Sequence, residues 1–138
     1  MDFYGYLMSI RCARKDAEWA LDKLRELSEG VPLPNMDFGP HGKSSTHSDR
    51  TAILAMARIR GKKRATTTMK DALQTLNEFK SILQDSDVND TATAATWMHW
   101  GMGKGYREVG KSLGMTTVHA MGMVHEVERV IRPAIERL

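Results

Sequence analysis

Five histidines, one cysteine, a Gly-Lys-Ser triplet and a run of five cations are the residues of this chain whose types could do chemistry. A metal centre would need ligands on one face. His41 and His47 are six residues apart in a stretch dense in glycine and proline. His119 and His125 are also six apart, which on a helix puts them about 240° from one another. His99 stands alone, and no His-Glu-x-x-His pair of turns occurs, so no metal is expected. Gly42-Lys43-Ser44 would make a phosphate loop only with an earlier glycine where Asp37 stands, and with a strand before it. Cys12 has no His or Asn placed by the sequence to activate it, and as the single cysteine it excludes an intrachain disulfide and a Cys-based zinc site. No acid, base and nucleophile converge. Binding rather than catalysis is expected, with no cofactor.

Charge is the second source of chemistry. The chain of 138 residues carries a net charge of only +3. Residues 31–70 hold eight basic and two acidic groups, whereas 71–100 hold one basic and five acidic. Arg58, Arg60, Lys62, Lys63 and Arg64 fall within seven positions with no acid among them, so they cannot form local ion pairs. They are candidates for non-specific contacts to phosphates, of a kind that salt weakens steeply; the plainer reading is a solvated helix face.

The most specific segment is Tyr106-Arg-Glu-Val-Gly-Lys-Ser-Leu-Gly-Met-Thr-Thr-Val-His119. A short helix pinned by Val109 and Leu113 meets Gly114, which can take the left-handed conformation of a sharp turn. Thr116 then caps a second helix, whose amide dipole favours phosphates. Lys104, Arg107 and Lys111 fall near the first helix, where phosphate contacts gather. Thr116, Thr117, His119 and Met121 open the second. That helix carries no Arg or Lys before Arg129, although base edges are most often read by Arg, Lys, Asn or Gln. Gly122 weakens it further.

These motifs must be positioned by an all-α scaffold. Leu7, Ile10, Ala13, Ala17, Leu21, Leu24 and Leu27 recur every three or four residues and predict a helix over 4–28. A long loop follows at 30–48, with Ser48-Asp49 as the cap of the next helix. Met69, Leu76 and Leu83 are seven apart, as are Ala65, Ala72 and Phe79, and Leu73 belongs to the same apolar series. They predict a helix over 49–84 that packs along one partner. A break near 61–66, around Gly61, competes with a continuous helix. The first helix can fold back along the second, so residues 1–85 read as an antiparallel helical hairpin used for assembly. Residues 87–138 read as a small helix-turn-helix module, in which Trp97, Trp100 and Tyr106 serve as core. No period-two strand and no fixed repeat is present. No apolar run approaches the roughly 20 residues that span a bilayer. The N-terminus lacks a signal pattern, and a cytoplasmic location is expected.

The run Trp100-Gly-Met-Gly-Lys-Gly-Tyr-Arg-Glu-Val-Gly-Lys-Ser-Leu-Gly-Met-Thr resembles region 4 of sigma-70-type factors. There a glycine-containing turn precedes a Glu-Ile-Ala-x-x-Leu-Gly-x-Ser helix and its recognition helix. Gly110 stands where that pattern usually has Ala, and Thr116 where it has Ser. The order of elements is similar to phage and prophage regulators of the RinA/ArpU type, including the stretch from His41 to Ala52. The resemblance implies a transcriptional regulator that binds double-stranded DNA. A homodimer is expected because one amphipathic hairpin has little to bury its remaining apolar face against and half-sites usually need two modules. Lys104, Arg107 and Lys111 would then hold phosphates, while Thr116, Thr117, His119 and Met121 meet the groove. The alternative is a protein-interaction module that docks on RNA polymerase or another phage protein. The poorly basic second helix favours it.

Overall fold

The computed structural model describes residues 1–28 and 44–138, side chains of residues 44–49 excepted. Among these residues every regular element is helical. The order is α1 (Phe3–Ser28), α2 (Ser44–Asp85), α3 (Asp90–Thr96), a π-turn (Trp97–Gly101), α4 (Tyr106–Leu113) and α5 (Thr117–Glu136). None is long and apolar enough to cross a membrane.

One expectation about α2 is corrected and one open choice is decided. It starts at Ser44, so Ser48 and Asp49 lie inside the helix rather than capping it. It also runs unbroken through Gly61 for 42 residues. A mid-helix glycine costs only about 1 kcal/mol, and buried Ala65 resumes the packed stripe one turn later. Residues 29–43 of the expected loop, with His41 and the Gly42-Lys43 pair, lie outside the described residues.

The stripe itself is Ala65, Ala72, Leu76, Phe79 and Leu83, all buried, with Met69 half-buried. Leu73 is one residue off this three-four alternation and is 46% exposed. Leu21 is displaced in the same way, because Ala20 takes the buried position in α1 and leaves Leu21 in solvent. One helical step of about 100° separates seam from surface.

The chain forms two compact units, residues 1–16 with 71–138 and residues 17–70. In the first, the Phe79 ring is fully buried, 6.2 Å from the Tyr6 ring and 6.2 Å, stacked, from Trp97. Leu7, Ile10, Leu83, Ile131 and Ile135 complete the apolar interior. The N-terminus closes onto the end of α5. The Met1 ammonium donates to the Glu136 carbonyl at 3.2 Å, and the Arg132 guanidinium lies 5.6 Å over the Phe3 ring. In the second unit, Ala20 and Ala65 are fully buried, while Ile53, Met56 and Ile59 stand exposed at three-residue spacing on α2.

Candidate functional site

Residues 89–125 of the first unit build the segment singled out by sequence. Asn89 caps α3 by accepting from the Ala92 amide at 2.7 Å. The helix then widens into the π-turn, where the Met102 amide reaches back to the Trp97 carbonyl at 3.0 Å. Nothing in the residue pattern announces this widening. It turns Trp97 onto Phe79 and Trp100 towards α5, where its indole N–H donates to Glu128 Oε1 at 2.8 Å. The Arg11 guanidinium sits 5.1 Å over the Trp100 ring. Gly101 follows because the Trp97 ring leaves no room. A Cβ there would lie 2.5 Å from the indole.

His99 lies edge-on to the Trp100 ring, 5.1 Å away. Its ring stacks on Tyr106 at 4.1 Å, and its Nδ1 lies 2.8 Å from the Lys104 carbonyl. A carbonyl only accepts, so Nδ1 must carry the hydrogen. The stack fixes the start of α4. Burial holds the His99 pKa below the ordinary histidine value, opposed by the Lys104 carbonyl and Glu128 and aided by Arg11 and His125. Above about pH 6.5 the ring is neutral in both folded and unfolded chains. As pH falls below that, the unfolded chain takes the proton first, so stability falls towards the folded pKa. Thermal unfolding at pH 7 and pH 5.5 should therefore show an acid loss in the native protein that shrinks in His99→Gln. Equal losses in the two proteins would place the titration elsewhere.

The turn between α4 and α5 has the local geometry its residues predict. Gly114 sits at φ 71°, and its amide and that of Met115 both donate to the Gly110 carbonyl. Thr116 Oγ1 accepts from the His119 amide at 3.1 Å and so caps α5. Ala95, Val109, Ala120 and Val124 form the buried seam between α3, α4 and α5, flanked by half-buried Met98, Trp100, Tyr106, Leu113 and Met115. Leu113 is thus a flank of the seam and not one of its centres. Trp100 and Tyr106 contribute to the core, as expected.

Of the sequence-selected residues, Arg107 and Lys111 are exposed one turn apart on α4, and Lys104 is half-buried just before it. No carboxylate among the described residues lies within ion-pair distance of these three cations. Thr116, Thr117, His119 and Met121 are exposed at the start of α5, with the Thr116 hydroxyl already engaged in the cap. Arg129 is held by Glu126 at 2.5 Å. Arg60, Lys62, Lys63 and Arg64 lie in the second unit and Arg58 is half-buried there, so this run is not part of the α4–α5 segment. No family model, curated protein or solved structure matches the chain.

Sequence reasoning passed over Val118, which at 77% exposure is the most open apolar side chain of α5's first turn. It lies about 160° round the helix from buried Ala120. Counting back from Ala120, Val124 and Val127 would have placed it outward, beside Gly122 and His125.

Proposed function

We propose that residues 104–122 bind double-stranded DNA as a helix-turn-helix, in a phage-type transcriptional regulator acting in the cytoplasm by binding alone. The observation that carries this reading is the α4–Gly114–Thr116–α5 turn, which leaves the capped start of α5 exposed, with Arg107 and Lys111 exposed on α4 and Lys104 just before it. An open helix N-terminus favours anions, and these three cations, with no carboxylate in ion-pair distance among the described residues, supply the phosphate attraction. Thr116, Thr117, His119 and Met121 would face the groove. Residues 1–85 would act as the assembly hairpin of a homodimer. The exposed row of Ile53, Met56 and Ile59 supports that part of the reading, because a second copy would remove it from water.

Fluorescence anisotropy against a duplex from the chain's own upstream region, with a scrambled duplex as control, tests it. Neutralising three phosphates predicts a slope of about −2.7 in log K against log salt, a drop of roughly 40-fold from 50 to 200 mM. Arg107→Ala should reduce that slope by about 0.9. Preference for the native duplex should vanish in the Thr117→Ala/His119→Ala double variant. Absence of duplex binding at 50 mM salt would defeat the reading.

One observation favours the second reading, a docking module for RNA polymerase or another protein. The outward start of α5 offers the apolar side chains Val118 and Met121, and its first cation, Arg129, is paired. Loss of partner capture in Val118→Lys, with duplex binding unchanged or raised, would decide for docking.

A further inference from the structure

The second compact unit contains a groove of about 780 Å³ lined by Trp19 and Lys23 from α1 and by Arg60, Gly61, Lys63 and Arg64 from α2. Its α2 wall runs from Ala57 to Thr68, about 16 Å of helix axis. Arg60, Lys63 and Arg64 have no carboxylate within ion-pair distance among the described residues. Lys23 has only a loose pair with Glu26 at 3.8 Å.

Trp19 is the informative residue. It is 46% exposed, an apolar ring left in water on a strongly cationic wall. The other two tryptophans are already engaged: Trp97 stacks on Phe79 beneath Lys80, and Trp100 holds Glu128 beneath Arg11. Trp19 has no ring or cation partner among the described residues. Gly61 lines the groove and has room for a side chain, since an added Cβ would meet only Leu27 Cδ1, at an ordinary 3.6 Å.

We propose that this groove binds single-stranded nucleic acid, with Arg60, Lys63 and Arg64 on consecutive phosphates and the Trp19 indole stacked on a base. Cations along a groove and an open aromatic face are the two components such sites combine. A duplex fits them poorly, because its base faces are already stacked on one another. An acidic peptide matches the cations but offers nothing to the indole. The site is independent of the helix-turn-helix reading and lies in the other compact unit.

The test is binding of fluorescein-labelled oligothymidine and oligouridine of about 12 nucleotides to the full chain, beside a hairpin duplex and polyglutamate. Both single strands should bind and quench tryptophan emission. Three phosphates predict a salt slope of about −2.1, a loss of roughly 20-fold between 50 and 200 mM. Trp19→Phe should keep binding and abolish the quenching. Trp19→Ala should weaken binding about fivefold or more, the effect of losing one stacked base. Gly61→Glu fills and recharges the groove while improving helix propensity, so it should fold at least as well as the native chain and lose binding. Thr117→Ala/His119→Ala should leave single-strand binding intact, so failure of either reading is visible without the other. Three outcomes would overturn the proposal: no single-strand binding at 50 mM salt, affinity for single strands unchanged in Trp19→Ala, or duplex or polyglutamate binding that Trp19→Ala weakens as much as it weakens single-strand binding. A difference between the two single strands would identify RNA or DNA as the natural ligand.

Discussion

Gly110→Val should lower stability by about 2–3 kcal/mol, the upper part of the range for overpacking a closed site. Gly110 is buried, and any Cβ on it would lie 2.7 Å from the Met115 carbonyl oxygen and 3.2 Å from that of Thr116. Both neighbours are backbone atoms and cannot rotate aside, so α4 and the start of α5 must separate. Gly110→Ala makes the same clash, but the helix preference of Ala returns about 1 kcal/mol, so its loss should be smaller. Gly114 is the control. A Cβ there meets nothing within 4 Å, and Gly114→Ala carries only the left-handed strain of about 1–2 kcal/mol, which Asn would relieve in part. Thermal unfolding distinguishes these, at about 2–4 °C per kcal/mol for a chain of this size. Amide exchange should localise the Gly110 effect to 106–124. A Gly110→Ala protein more stable than the native one would show that the turn yields freely.

Phe79→Ala should be the most damaging single change, at about 3–5 kcal/mol. Few natural domains have more than about 15 kcal/mol in total. The ring is fully buried against Tyr6 and Trp97, so its removal opens a cavity shared by α1, α2 and the π-turn. Trp97 reports on it directly. Its emission should shift to the red, and the urea midpoint should drop. Phe79→Leu, which leaves a smaller void, should recover much of the loss. A Phe79→Ala cost below about 1 kcal/mol would mean that the surroundings collapse onto the site.

The all-helical class and the α4–α5 turn were legible because each rests on local signals. The three-four spacing from Ala65 to Leu83 marks a seam, and Gly114 followed by Thr116 marks a stop and a start. Leu21 and Leu73 misled because an apolar residue one position off the seam looks the same in sequence as one on it. Competition with Ala20 for the buried position is decided only by packing. Gly110 was visible as a departure from the sigma-like pattern, yet its reason is a contact with Met115 that a linear reading does not contain. The groove was half legible. The cations of 58–64 stood out, but Trp19 lies about forty positions away and joins them only through the register of α1 against α2 in their unit. The π-turn left no trace, because five residues are too few to express a period.

That widened turn bears on how the chain tolerates insertions and deletions. A π-turn holds one residue more than the α-helical path needs. Excising one position between Trp97 and Gly101 would let the segment relax into ordinary helix, leaving its flanks in register but re-aiming the side chains between them by about 100°. Trp100 and His99 would then exchange surroundings, and neither the Glu128 carboxylate nor the Tyr106 ring would meet its present partner. Among related chains, a one-residue gap at this point should therefore come with different residues at 99, 100, 106 and 128, whereas a point change within the turn should not.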